Sequence, residues 1–407
     1  MSQQSWLGAR QPGRGPWWPA IWAAIIAFTV VVSSGAVLLT ARMVGMDNKP
    51  APPPASLTPT SDRITNLGAT QATQATPTTP TTAGPTTSRL AMIGPRRLVD
   101  SRSGERYPAG AEVNVPLPGV PRDSVAVLLE VSVLNTTRAG SVTLVSGDES
   151  TPVLRIPGKG AQTSATVVAR LGTDHVLTAK LTAGADLVVT LTGALRPATT
   201  ARAGRIISVP AEQALELFPG KDGNRATIRP DQLSLGGTPR AQVGALLLSF
   251  QADVGVHGGT VAVGRSWDRL DQQVFWAATA GTDRTRRGFL IVPLSDRLRL
   301  YYHAGTRLTV NVVGLVTGKA AASESAGLSV PVASAALPTV TLPPGGRADL
   351  DLPEATEAEA ALVTTTTKPK GGRPRAVLGL LDVHAGTVRV NGPERASVTL
   401  TPRLLIR

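Results

Sequence analysis

Beyond Arg89 the chain alternates short apolar runs with polar positions, and Gly, Pro and Asp punctuate the runs. No 3.6-residue stripe persists beyond two turns. Period-two alternation predicts β-strands with one face turned inward, so this part of the chain is expected to be all-β.

The alternation recurs in three copies. Leu177–Leu195 (LTAKLTAGADLVVTLTGAL) aligns without a gap on Leu298–Val316 (LRLYYHAGTRLTVNVVGLV) and on Val388–Ile406 (VRVNGPERASVTLTPRLLI). In each copy a strand-like triplet leads to a second run, Leu187-Val188-Val189, Leu308-Thr309-Val310 or Val398-Thr399-Leu400. Ala183-Gly184, Ala304-Gly305 and Asn391-Gly392 each supply a glycine able to take positive φ, so each segment reads as a hairpin. A second match begins at Ala126, Ala245 and Ala361. In its first two copies Gly140 and Gly259 fall in the connection and Val142 and Val261 start a return strand, again read as a hairpin. The third copy is shorter and lacks a hairpin between its halves. The expected fold is all-β: tandem antiparallel β-sandwich-like repeats over 93–197, 203–318 and 326–407, the last a shortened capping unit, with 318–325 a short flexible joint.

The N-terminal part reads differently. From Trp17 to about Leu39 there is no charged residue, a length that crosses a hydrocarbon core. Trp17, Trp18 and Trp22 suit the headgroup level, and Arg10 and Arg14 precede the span, whereas Asp47 partly offsets Arg42 and Lys49 after it. These features predict a cytoplasmic tail over 1–16, a transmembrane helix over 17–40 and single-pass placement in the plasma membrane, with the C-terminal part extracellular. The competing reading is a cleaved signal peptide with a small-x-small site at Ser34 to Ala36, but the apolar stretch outruns a usual h-region. Residues 41–89, rich in Pro, Thr and Ala, have too little large apolar surface to offset ordering entropy and are expected to form a disordered stalk.

Composition narrows the chemistry. Aromatics make up 3 % of the 407 residues, so the cores must be packed with Val, Leu, Ala and Ile. The absence of cysteine excludes disulfides, thiol nucleophiles and Cys-ligated zinc or iron–sulfur sites. The net charge is +13, but the basic residues are scattered and few aromatics are available for base stacking. Nucleic acid is therefore not an expected partner. The expected partners are the membrane, through residues 17–40, and anionic cell-wall polymers or envelope proteins.

Two basic clusters are candidates for contact with an anionic polymer: Lys368, Lys370, Arg373 and Arg375 in one loop, and Arg284, Arg286 and Arg287 in another. Arginine suits bidentate phosphate binding, although solvated loops would look the same. The four histidines, His175, His257, His303 and His384, lack ligand spacing, and no cofactor or metal is expected. No G-x-S-x-G sits at a strand-to-helix junction, and Asp148, Glu149, Asp268 and Asp271 read as solvated loop acids, so no catalytic residue is nominated. Asp349, Asp351, Glu354, Glu357 and Glu359 lack the spacing of a calcium loop. Asp100 and Arg102, two apart on a strand, suit a strand-end clamp. Trp267, Phe275 and Trp276 offer either a sugar-stacking platform or core packing.

Arg97-Leu98-Val99-Asp100-Ser101-Arg102, Pro118-Gly119-Val120-Pro121 and Val127–Val133 (VLLEVSV) together resemble an R-L-L-D-T-R … G-V-P … V-L-N-V-T-V pattern. That pattern belongs to repeat domains of secreted and cell-surface proteins of actinobacteria. Leu300–Thr306 (LYYHAGT), closing on Val312-Val313-Gly314, resembles the L-Y-N-x-A-G-S … V-V-G-Y-F ending of the same repeats. Glu130 stands where the pattern has Asn, and the second unit lacks the Asp–Arg pair. The resemblance implies a cell-surface accessory or scaffolding role without a catalytic site. The expectation is a non-enzymatic, membrane-anchored extracellular scaffold or binding protein of the bacterial cell envelope. The alternatives are an exported cell-wall hydrolase and an accessory factor of membrane-associated secretion or division machinery.

Overall fold

The computed structural model describes residues 86–407 except 255–257, 269, 271–274, 279–284, 333–335, 353 and 373. The expected tail, transmembrane helix and nearly all of the stalk lie outside the described residues. Among those described, no helix is long and apolar enough to cross a membrane. The first strand begins at Ser88, so the last two residues assigned to the stalk belong to it.

Alternation accounts for many of the strands directly. Leu177, Ala179 and Leu181 turn inward while Lys180 faces solvent. The first set of strands is β1 (Ser88–Asp100), β2 (Glu112–Val115), β3 (Ala126–Leu134), β4 (Gly140–Ser146), β5 (Glu149–Ile156), β6 (Thr163–Arg170), β7 (Leu177–Leu181) and β8 (Asp186–Pro197). The second is β9 (Ile206–Leu217), β10 (Arg225–Ile228), β11 (Val243–Val254), β12 (Gly259–Gly264), β13 (Trp276–Ala278), β14 (Thr285–Pro293), β15 (Leu298–His303) and β16 (Gly305–Thr317). The third is β17 (Ser329–Pro331), β18 (Val340–Thr341), β19 (Arg347–Asp351), β20 (Ala360–Lys368), β21 (Arg375–His384), β22 (Thr387–Asn391) and β23 (Ser397–Ile406).

Pairing order repeats from set to set. The first set forms sheets β1-β8-β3-β6 and β2-β7-β4-β5, and the second forms β9-β16-β11-β14 and β10-β15-β12-β13. The third runs β17-β23-β20-β21 and continues through β22 to β19. Each set encloses its own apolar core, around Val131, Leu144 and Leu181 in the first, Leu248, Val263 and Leu300 in the second, and Val363, Val388 and Leu400 in the third. This is a β-sandwich-like arrangement, in which strands from two layers bury their facing sides.

Register makes the equivalence residue by residue. Ala126 lies opposite Leu195, Ala245 opposite Val316 and Ala360 opposite Ile406. The third counterpart of Ala126 is thus Ala360 rather than Ala361, a one-residue correction that exchanges the two faces of the strand. All three strand pairs carry a bulge at the same place, leaving Thr192, Val313 and Arg403 as the extra residues.

The hairpin expectation fails in all five repeated segments that carry it, including Val388–Ile406, where β22 and β23 pair with other strands and not with each other. β7 pairs with β2 and β4, whereas β8 pairs with β1 and β3, so the chain arches from one sheet to the other. β15 and β16 are divided in the same way, as are β3 and β4, and β11 and β12. Alternation reveals which side of a strand faces the core, but two facing sheets present the same pattern. Consecutive strands do pair as β4–β5, β12–β13 and β21–β22, and in the third set also as β20–β21, where the two strands follow each other directly because no β4–β5 counterpart lies between them.

The glycines at the arches serve clearance instead of φ. None of Gly184, Gly305 and Gly392 has positive φ, while Ala304 does, at 60°. A Cβ at Gly184 would lie 3.0 Å from Thr137 Oγ1, one at Gly392 2.9 Å from Leu342 Cδ1, and one at Gly305 would overlap the Tyr302 ring.

The described residues belong to one compact unit, Pro80–Arg407, within which the three sets share a fourth core. Leu128 and Leu195 from the first set, Leu247 and Ile291 from the second, and Leu362 and Leu404 from the third pack together there. β3 is accordingly buried at every position, one face toward its own sandwich and the other toward this shared core. Pairing of Ser88 with Ser329 joins the first and third main sheets into one 11-stranded sheet. The second set is tied in by backbone: Leu90 N donates to Gly204 O and Ile206 N to Gly327 O, both at 2.7 Å. The segment 318–325, expected as a flexible joint, is pinned by an Ala201–Glu324 bridge, by burial of Ala321 and by an Arg205–Glu324 ion pair at 2.7 Å.

Candidate functional site

The two basic clusters start on different sandwiches. Arg286 and Arg287 open β14, while Lys368 closes β20, Lys370 follows it and Arg375 opens β21. Arg284 and Arg373 lie outside the described residues. Lys368, Lys370 and Arg287 are exposed, and Arg286 and Arg375 half-buried. Topology brings the clusters toward each other, because β6, β14 and β21 occupy equivalent places beside β3, β11 and β20 and converge on the shared core.

A crevice of about 30 Å³ opens where they meet. Ser164–Val167 of β6, Arg287–Phe289 of β14 and Ala376–Leu378 of β21, three equivalent segments, form much of its wall. Val153, Trp276, and Thr364 and Arg403 of the third set complete it. Arg287 therefore belongs to the crevice and Arg375 directly precedes its wall, whereas Lys368 and Lys370 do not line it.

Two charged residues are buried at this junction, and sequence reasoning nominated neither as a site. Glu130, 3 % exposed, lies on the face of β3 shared with Leu128. Thr166 Oγ1 lies 2.7 Å from Glu130 Oε2 and also within hydrogen-bond reach of the Phe289 carbonyl, while Oε1 has no partner. Burial pushes the pKa of the carboxyl well above its ordinary range, and the Thr166 contact only partly opposes that shift. Arg403, 7 % exposed, is the extra residue of its bulge, which turns its side chain toward the shared core. Its Nε donates to Thr364 Oγ1 and one terminal nitrogen to the Pro152 carbonyl, both at 3.2 Å. The other, Nη1, is buried with no partner. Burial alone lowers its pKa to about 10, which leaves it cationic at neutral pH.

A second, larger concavity of about 320 Å³ lies between the two linkers that join the sets. Arg89, Arg202 and Lys319 line it with Thr200 and Ser323, and among the described residues no acid does. The nearby Glu324 is engaged by Arg205, whose Nη1 also donates to the Ala326 carbonyl at 2.9 Å. The sequence carried one sign of this cleft: the stretch from Arg196 to Arg205 holds three arginines and no acid.

The remaining candidates resolve into structural roles or stay apart. Arg102 clasps Asp100 through two hydrogen bonds, at 2.9 and 2.7 Å, as a strand-end clamp. Burial opposes ionisation of Asp100, but hydrogen bonds and charge from Arg102 outweigh it and hold the carboxyl below its usual range. Phe275 and Trp276 are both buried, and the half-buried Trp267 has the guanidinium groups of Arg225 and Arg299 each 5.4 Å from its ring centre, so these aromatics form no open platform. His303 and His384 end separate strands and are exposed, and His257 lies outside the described residues. Among the described residues, no three His, Asp or Glu gather to hold a metal ion. The chain matches no protein-family model and no curated protein.

Proposed function

We propose that the protein is a non-catalytic, membrane-anchored extracellular binding scaffold of the bacterial cell envelope. On this reading residues 17–40 hold it in the membrane, the Pro/Thr-rich segment acts as a stalk, and tandem sandwich repeats bind phosphate-bearing envelope polymers. The observation that carries the binding role is the linker cleft, where three cations converge without an acid among them. Cationic clefts concentrate polyanions, and arginine pairs with phosphate in two-point geometry. The shared core supports the scaffold role, since three sandwiches packed on one another present fixed surfaces.

The test uses the full chain in detergent, incubated with isolated wall polymer over a range of salt. Retention should weaken with salt and fall at least tenfold in a variant combining Arg89→Gln, Arg202→Gln and Lys319→Gln. Equal retention of both proteins would refute the cleft as the contact. Fractionation with protease added from outside tests the anchor: the expected product is membrane-bound and trimmed, and a soluble form beginning near Val37 would overturn it.

A further inference from the structure

The three bulges of the main sheets are equivalent in place but not in chemistry. Their extra residues are Thr192, Val313 and Arg403. Thr192 satisfies its hydroxyl on the Leu128 carbonyl at 3.2 Å, and Val313 packs against the shared core. Arg403 alone brings a full charge into that position. A buried guanidinium without a counter-charge is costly, and proteins ordinarily set a carboxylate against it. Here no carboxylate of the described residues lies within 4.0 Å of Arg403, although Glu130 is buried at the same junction. Glu130 instead faces the Thr166 hydroxyl, and its burial disfavours the charged form that could neutralise the arginine.

The surroundings of Arg403 select for negative charge and small size. Arg287 is a second cation on the crevice wall, no acidic side chain among the described residues lines it, and the hydroxyls of Ser164, Thr166 and Thr364 are part of its lining. A volume of about 30 Å³ exceeds the 10–15 Å³ that one water needs but excludes a sugar, a nucleotide or a polymer segment. We propose that this junction is a binding site for a small monovalent anion of halide size, held by Arg403 with Arg287 beside it and serving as the counter-charge that locks the three strand sets together. The site is separate from the linker cleft, and it stands whether or not the protein is anchored in an envelope.

The experiment is thermal unfolding of the full chain in detergent, at constant ionic strength and pH, with chloride or bromide exchanged for the bulky anion gluconate. Halide should raise the midpoint by about 2 °C or more in a saturable way, as expected for a ligand of the folded state. Arg403→Met, which keeps the volume and removes the charge, should abolish the response, and Lys368→Gln, a surface cation outside the crevice, should leave it intact. An equal halide response in wild type and Arg403→Met would overturn the proposal, as would no response in wild type. Should Arg403→Met fail to fold, anomalous scattering from bromide in crystals of the wild-type protein decides: a peak beside Arg403 Nη1 supports the site, and its absence at saturating bromide refutes it. The polymer retention measured for the linker cleft is expected to be the same in Arg403→Met, so failure of one proposal is distinguishable from failure of the other.

Discussion

In the first strand set β7 is flanked on both sides, by β2 along four residue pairs and by β4 along another four. In the third, its counterpart β22 has β19 along five pairs on one side and only two pairs with the end of β21 on the other. The missing β4–β5 hairpin removes half of the second layer. Yet the third set still buries Leu362, Leu404 and Ile406 against its neighbours in the shared core. The first and third sets place equal numbers of buried residues in the shared core, but the first has the larger core of its own, so a greater proportion of the third set's burial depends on its neighbours.

The strongest way to break this contrast is at the seams. Gly204 and Gly327 have φ of 93° and 81°, and a Cβ would run into the Leu90 carbonyl at the first and lie 2.7 Å from the Ile206 carbonyl at the second. Gly327→Val should cost about 3–5 kcal/mol and release the third set in a transition of its own during chemical unfolding. A single unshifted transition would show that the third set is self-sufficient. Next in size, Leu362→Ala in the shared core should cost about 2–5 kcal/mol, with raised hydrogen exchange in all three sets, whereas Leu144→Ala should confine the change to the first.

A smaller effect concerns Glu130. Its folded-state pKa is raised, so between the ordinary glutamate range and that higher value the unfolded chain has released a proton that the folded protein keeps. Stability should therefore fall as pH rises through that window, and Glu130→Gln should remove this part of the slope. Parallel pH–stability curves for the two proteins would contradict the assignment. The smallest expected difference is in exchange protection: amides of β22 should exchange faster than those of β7, because β22 lacks most of one neighbour.

How much of this was legible follows from the physics of each feature. Period-two alternation marks inward faces, so the strands and the equivalence of Leu177–Leu195, Leu298–Val316 and Val388–Ile406 could be read directly. Alternation carries no information about which of two facing sheets a strand joins, so an arch and a hairpin have the same sequence pattern. Gly305 looked like a turn residue because a glycine needed for clearance from Tyr302 and one needed for positive φ are the same letter. The junction was hidden for another reason. On a strand with one wet face Glu130 would point to solvent, and only the packing of a second sandwich over that face buries it. Arg403 required knowledge of a bulge, which is a property of two paired strands and not of one segment. The basic clusters were visible as composition, but only Arg287 of the described cluster residues proves to line the crevice.

The pairing of Ser88 with Ser329, and of Ser329 with Ile406, has a mechanical consequence. β1, β17 and β23 lie side by side there, so the two ends of the described chain are separated by about two strand spacings, roughly 10 Å. A tether pulling ahead of Ser88 and a load attached beyond Arg407 would act on neighbouring strands at one pole. Tension would pass through the rim formed by those strands while the three sandwiches hang to the side, so the body could swivel or be dragged without its cores being stretched.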